Sequence, residues 1–256
     1  MNDLIKNLKI LKSLGVVAVK QSFEDEGASQ NDIAIMRIIT TKAKLPLNVK
    51  VGGCEATNDI YFCKKIKVNG IVAPMVESEY ALTKFIELAK KGYKNSLYIN
   101  IETKSAFENI EKIIKSPKFK YLKGIVIGRS DFAGSLSKSK NIVDSKQVYQ
   151  AILKLLKKIK KKNILVKMGG SITNKSKNFI KILYEKKLLN RIETRNIEIV
   201  LNKKNLDNLD FIIEKIFNFE LQWIEYKLKL LKKTESKLLK KNYISRIAEL
   251  KRRIKV

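Results

Sequence analysis

The sequence predicts an α/β fold of the TIM (β/α)8 type, with a helical extension at its C-terminal end. Three observations carry this. The length, 256 residues, suits one such barrel, which takes roughly 250. Short apolar runs alternate with longer amphipathic segments, and that alternation implies a parallel sheet with right-handed crossovers. The short runs are apolar almost throughout, as strands buried on both faces must be.

Taken in order, strands are expected over residues 16–20, 47–51, 70–74, 97–102, 124–128 and 163–168, and a seventh lies within 191–201. Amphipathic helices are expected over 32–43, 56–66, 78–91, 105–114 and 146–161. A closed barrel needs an eighth strand. Leu8 to Leu11 is a candidate, equally readable as a helix closing the barrel floor. From about Asp207 the pattern changes: Phe211, Ile212, Ile216, Phe219, Trp223 and Tyr226 recur at helical spacing, and a last amphipathic helix is expected from about Tyr243 to Ile254. The chain therefore divides into a barrel over 1–206 and an extension over 207–256. That extension is either a closing helix with a solvated tail or an arm for a homo-oligomer, because an apolar helical stripe needs a partner surface.

Composition excludes several classes. Hydrophobic residues make up 45% of the chain, enough for a sizeable core and against global disorder. No apolar run approaches the ~18–20 residues that span a bilayer. Two cysteines, Cys54 and Cys63, make no disulfide framework, so a reducing, cytoplasmic setting is expected. The net charge of +29 raises a polyanion-binding barrel as an alternative. Against a nucleic-acid partner, the excess is lysine scattered through every helical segment, and arginine, the preferred reader of base edges, is rare.

Two acids stand out. Glu102 and Asp131, 29 residues apart, each follow a buried run. At the ends of successive parallel strands they would converge on one rim, where such barrels keep their chemistry. A buried carboxylate needs a partner, and a divalent cation bridging both would serve. The chain has no histidine, so the ligands would be oxygens, suiting Mg2+ or Mn2+ better than zinc. The plainer reading makes both ordinary loop acids that cap helices.

Other strand ends carry charge or glycine. Lys20 and Lys50 would line the same mouth and neutralise an anion, or merely snorkel to solvent. Glu24 and Glu26 would move protons or pair with those lysines. Gly52 and Gly53 expose backbone N–H groups suited to anions, as do Gly169 and Gly170. Glu55 is a catalytic acid or a helix cap. Arg195 reaches the rim from the last strand or forms a surface ion pair. Cys54 has no histidine to activate it and reads as a small packing residue. A lysine route is a separate alternative: Lys20, Lys50 or Lys167 in an apolar barrel would form a Schiff base.

The segments Ala73-Pro74-Met75-Val76-Glu77-Ser78, Ile101-Glu102-Thr103 with Ala106 and Glu108-Asn109-Ile110, and Gly124 through Gly128-Arg129-Ser130-Asp131-Phe132 resemble the HpcH/HpaI aldolase and citrate lyase β-subunit family. The similarity runs from about Gly15 to Gly170 in matching order. It implies a TIM barrel and a divalent metal held by Glu102 and Asp131. It also implies that the backbone of Gly128 to Asp131, with Gly128, Arg129 and Ser130 as the substrate-binding residues, receives a substrate carboxylate, and carbon–carbon lyase or aldolase chemistry on a small 2-oxo acid or acyl carboxylate. The family's aldolases resemble one another in a glutamate–histidine pair. Here that stretch reads Phe23-Glu24-Asp25-Glu26-Gly27, and Lys50 stands where an arginine is expected. A lysine is a point charge and not a planar fork, so the substrate of this branch is expected to differ. Glu24 is the expected proton-transfer residue, with Lys20 and Lys50 beside it.

Overall fold

The computed structural model describes every residue except 25, 26, 93, 95, 138, 232–236, 255 and 256, and the side chains of 174 and 238. Glu26 therefore lies outside the described residues. The elements run α1 (Asn2–Ser13), β1 (Val16–Ser22), α2 (Gln30–Ala43), β2 (Leu47–Lys50), α3 (Thr57–Lys65), β3 (Gly70–Ala73), α4 (Glu79–Lys90) and β4 (Ser96–Ile101). They continue α5 (Lys104–Glu108), α6 (Ile110–Lys115), β5 (Gly124–Gly128), α7 (Arg129–Ser137), α8 (Lys146–Ile159), β6 (Leu165–Gly169) and α9 (Lys177–Glu185). The last are β7 (Arg191–Glu193), β8 (Ile197–Val200), α10 (Lys203–Asp207), α11 (Leu209–Leu230) and α12 (Lys237–Ile254).

The eight strands close into one barrel in sequence order. From β1 to β7 neighbours are parallel, but β8 runs antiparallel to both β7 and β1. Of the two readings of residues 8–11 the helix holds, and the eighth strand lies elsewhere. Leu8 and Leu11 lie buried on α1, and the run within 191–201 holds two strands. Three residues, Thr194 to Asn196, separate those strands. So short a link permits a hairpin and forbids a parallel return, which needs a long crossover.

Strand parity sorts the side chains, because successive residues point to opposite faces. On β4 and β5, Leu97, Ile99, Ile101, Ile125 and Ile127 face outward into the main core, against helices such as α4 and α6. The alternate set, Tyr98 and Val126 with Val72 and Leu165, forms a small apolar plug inside the barrel. Gly124 leaves room for that plug: a Cβ there would lie 2.7 Å from the Leu165 carbonyl oxygen and 3.1 Å from Tyr98 Cδ1.

Beside the plug the interior is charged. Lys167 Nζ sits 2.7 Å from Glu198 Oε1 with both side chains fully buried, and 3.7 Å from the centre of the Tyr98 ring. Asn48 Nδ2 donates to the same Glu198 oxygen at 2.6 Å, and Arg191 approaches Oε2 at 3.4 Å. Burial pushes the Glu198 carboxyl up, but Lys167, Asn48 and Arg191 outweigh it and hold the group below the ordinary range. Glu198 thus fixes β8 from inside.

The extension folds back on the barrel. Trp223, Phe219 and Ile216 of α11 are buried, and α12 packs along α11 with Tyr243 and Leu250 buried. No described helix is long and apolar enough to cross a membrane.

Candidate active site at the barrel mouth

A cavity of about 200 Å³ opens where the parallel strands end. Its walls include Glu102, Asp131, Lys20, Lys50, Asn100 and Arg195. Parity accounts for the first. Glu102 shares the inward register of Tyr98 and Asn100, one residue past the end of β4. Its side chain is 2% exposed. Asn100 Nδ2 donates to Glu102 Oε2 at 3.0 Å and Met75 N–H to Oε1 at 3.0 Å. Met75 adopts the left-handed region (φ 46°) to present that N–H.

The residues around Glu102 interlock. Thr103 caps α5 by accepting from Ala106 N–H at 3.1 Å and donates to Glu77 Oε1 at 2.5 Å. Asn109 Nδ2 donates to the Glu77 carbonyl at 3.0 Å. The two sequence segments that hold Glu77 and Glu102 are therefore one physical unit. Gly128 on β5 completes it. A Cβ there would lie 2.5 Å from Glu102 Oε2 and 2.6 Å from Glu102 Cβ, so only glycine lets the carboxylate lie across β5.

Asp131 stands in the first turn of α7. Its Oδ1 accepts from Lys140 Nζ at 2.5 Å. Burial is the main force pushing the Glu102 carboxyl above its ordinary value. Lys50, the Met75 N–H and Asn100 oppose that push, and the charge of Asp131 adds to it. The two acids thus sense one another across the cavity.

The other candidates divide. Lys20 Nζ pairs with Glu193 at 2.5 Å, and Lys50 Nζ with Glu24 at 3.0 Å, Lys50 being 3% exposed and Glu24 37%. Ser130 and Gly128 line the cavity with their neighbours across β6, Gly169 and Gly170. The Arg129 side chain turns away from the cavity. It is fully buried, and its guanidinium donates to the Gly170 and Ser171 carbonyls at 2.8–3.1 Å and to Asp144 at 2.9 Å. It ties two loops together, and what remains for a ligand is the backbone around it. Gly52 and Gly53 also fall outside the cavity wall. The anion that meets the Gly52 N–H is the chain's own Asp59, at 2.8 Å. Glu55 pairs with Lys84 at 3.0 Å. Cys54 and Cys63 are free thiols, pushed by burial up to about 11 and about 12, too high for nucleophiles. Lys167 lies below the cavity, held by Glu198.

The structure adds residues the sequence did not single out. Asn100 Oδ1 and Glu193 Oε2 are buried wall atoms without a hydrogen-bond partner among the described residues. Asn100 was legible by parity, two residues before Glu102. Lys140 and the α12 residues Arg246 and Arg253 were not, because only the tertiary path brings them to the mouth.

The donor set suits a hard cation. Two carboxylates and the orphaned Asn100 oxygen face one small cavity, and Mg2+ is usually held by one or two carboxylates with water and substrate oxygens completing the shell. No described group gathers three or more His, Cys, Asp or Glu side chains around one point, so a cation here would rely on such additional oxygens.

This architecture defines a barrel enzyme with an acidic pair and surrounding cations at the strand ends. The chain belongs to the HpcH/HpaI aldolase/citrate lyase family, whose model matches residues 34–187. An HpcH/HpaI aldolase/citrate lyase family protein from Burkholderia cenocepacia J2315 superposes with a TM-score of 0.61 at 14% identity, over 74% of this chain and 82% of that one. The HpcH/HpaI aldolase from Desulfitobacterium hafniense DCB-2 gives 0.61 at 12%, over 74% and 81%. A citrate synthase, SbnG, gives 0.58 at 14%, over 71% and 78%. At such identities these likenesses speak for the fold. A comparison with curated protein sequences found no match.

Proposed function

We propose that the protein is a metal-dependent carbon–carbon lyase or aldolase acting on a small anionic 2-oxo acid or acyl carboxylate. The observation that carries this is the meeting of Glu102 and Asp131, from the ends of β4 and β5, in one cavity with Lys20 and Lys50. Glu102 and Asp131 would hold Mg2+ or Mn2+. Such a cation supplies Lewis-acid polarisation of the 2-oxo carbonyl and charge stabilisation of the enolate formed as the bond breaks. The backbone at the start of α7, around Ser130 and Asp131, supports a substrate carboxylate by its N–H groups and helix dipole. Lys50 and Lys20 neutralise the anion, and Arg195 adds a third cation at the rim. Glu24 is the proton-transfer residue, its Oε2 standing 3.0 Å from Lys50 Nζ, in the role of general base. The free thiols accord with a cytoplasmic setting.

The test is calorimetric. The parent chain should bind Mg2+ with 1:1 stoichiometry, and E102Q and D131N should each lose that binding while unfolding in urea as cooperatively as the parent. Unchanged Mg2+ affinity in both variants would remove the ligand assignment. The lysine route has a separate readout: a borohydride-trapped adduct that forms equally in chelator would favour it over the metal.

A further inference from the structure

We infer that the floor of the barrel, the end opposite the mouth, is a docking face for an anionic lipid surface, on which the molecule lies with its mouth turned to the aqueous phase. The inference is independent of the chemistry proposed for the mouth.

The first observation is where the fold puts charge. Eight segments close the floor: 14–15, 44–46, 66–69, 91–95, 116–123, 160–164, 186–190 and 201–202. These 34 residues hold twelve lysines and no Asp, Glu or Arg. Of the chain's 54 basic residues seven are arginine, which leaves 47 lysines among 256 residues, against 25 acids. At that average composition the floor segments would hold about six lysines and about three acids, so the excess is local. The mouth differs in sign. The described residues of its connecting segments include Glu24, Glu55, Glu77, Glu102 and Asp144 against Lys140, Lys175 and Arg195. The chain is therefore an electrical dipole along the barrel axis, positive at the floor.

The second observation is that these lysines are available. Eleven of the twelve are exposed and Lys118 is half-buried. Among the described residues they make one ion pair, Lys118 with Glu87 at 3.1 Å. Helix C-termini attract cations through their dipole, and some floor lysines serve that purpose. Lys64 Nζ donates to the Leu88 and Lys91 carbonyls at 2.9 and 2.8 Å, and Lys160 Nζ to the Lys186 carbonyl at 3.1 Å. The side chains of Lys123, Lys161 and Lys186 make no such bond among the described residues. Like charges crowd on this face. Burial and then the charge of Lys91 push the Lys64 ammonium below its ordinary value. The Tyr121 phenol is held low by a hydrogen bond from Lys90, with the charges of Lys120, Lys90 and Lys118 adding to it. An anionic surface laid against the floor relieves that repulsion.

The third observation is shape. The floor segments are two to eight residues long, too short to wall a groove. A flat face meets a planar anionic surface with all its lysines at once, whereas a nucleic-acid duplex is a rod and touches it along one strip. A single strand seeks aromatic stacking platforms, but the exposed Tyr121 ring already carries Lys90 Nζ 3.4 Å from its centre. Lysine, a point charge on a flexible stem, suits a diffuse field of headgroups; the arginine fork suited to individual phosphates is missing from these segments. No described helix is long and apolar enough to cross a bilayer, so the association is with its surface. Each lysine near such a surface adds about fivefold to affinity.

The experiment sediments the full chain with vesicles of phosphatidylcholine alone or with about 30% phosphatidylserine, at about 0.1 M and about 0.5 M salt. The parent should bind the anionic vesicles at low salt, at least tenfold more weakly at high salt, and should leave the neutral vesicles unbound. K123E/K161E/K186E, which reverses three exposed floor lysines, should weaken binding at least tenfold. K175E/K240E/K241E makes the same change of net charge at exposed lysines outside the floor segments and should bind within about threefold of the parent. A parent that ignores anionic vesicles overturns the inference, as do two triple variants weakened equally, since net charge and not the floor would then be responsible. A parent that ignores vesicles but binds duplex RNA through the same floor lysines assigns the face to nucleic acid and equally overturns it. Urea unfolding checks each variant. Should K123E/K161E/K186E not fold, K123Q/K161Q/K186Q takes its place, and unchanged vesicle binding by that variant overturns the inference.

Discussion

Replacing Gly128 by alanine should displace Glu102 and with it the cation site. The added Cβ would sit 2.6 Å from Glu102 Cβ and 2.5 Å from its Oε2, against about 3.5–4.0 Å for ordinary carbon contact. The carboxylate oxygen can swing aside. The Glu102 Cβ cannot, because it is fixed to the backbone next to β4, whose Ile101 is in register with Ile127 of β5. Strands paired about 4.8 Å apart have no slack to yield roughly an ångström, so β4 and β5 must part locally or the residue must twist. Overpacking of this kind costs about 1–3 kcal/mol. An ångström of misplacement in a reacting or binding group can cost on the order of a hundredfold. G128A should therefore lower the urea midpoint with little change in m, and weaken Mg2+ binding by at least tenfold in calorimetry. Gly53, where an added Cβ would meet nothing within 4 Å, supplies the control: G53A should change stability by no more than about 0.5 kcal/mol. A G128A protein with parental stability and parental Mg2+ affinity would refute the reasoning.

Three further outcomes are expected. K167M should destabilise the fold by about 3–5 kcal/mol in urea titration, since it leaves Glu198 buried without its ammonium; adding E198Q should recover part of that loss. Glu102 is raised by burial, so its contribution to the stability of the metal-free protein is full below the ordinary carboxylate value and is lost as pH rises through the folded value. Urea unfolding in chelator should show that decline in the parent and a flatter profile in E102Q, while Mg2+ affinity should rise over the same window. E220Q should loosen the β7–β8 hairpin, seen as faster amide exchange at Asn196, whose N–H now donates to that carboxylate.

Much of the barrel was legible because burial on both faces leaves near-continuous apolar runs. The expected strands over 47–51 and 124–128 overlie β2 and β5, and Glu102 and Asp131 were visible as acids that end such runs. The hairpin was not legible. Two strands of three and four residues are too short for a period, and the inward residues Arg191, Glu193 and Glu198 break the apolar pattern that marks a buried strand. The expected helix over 105–114 is two helices that meet at Asn109, whose side chain is drawn to the Glu77 carbonyl, a contact no local pattern reveals. Gly52 and Gly53 misled for a related reason. A glycine pair shows that N–H groups are accessible, but not that Asp59, in the first turn of the next helix, will take the first of them.

The barrel interior is built in layers, and the layers explain why a reversed strand is tolerated. Val72, Tyr98, Val126 and Leu165 form an apolar patch inside the barrel. Beside them, below the mouth cavity, lie Lys167, Glu198, Asn48 and Arg191, a cluster whose net stabilisation is small because desolvation offsets attraction. Its value is geometric. Glu198 comes from the one antiparallel strand, and its two oxygens meet groups from β2, β6 and β7. A register slip of one residue on β8 would turn Glu198 outward and leave Lys167 buried without a counter-charge. The ion cluster thus specifies the strand that hydrogen bonds alone would let slide. The next layer is the site itself, where Glu193 from β7 meets Lys20 from β1 across the β8 hairpin. Pinning β8 from below therefore fixes the spacing of β7 and β1 above, and with it the position of Lys20 at the mouth.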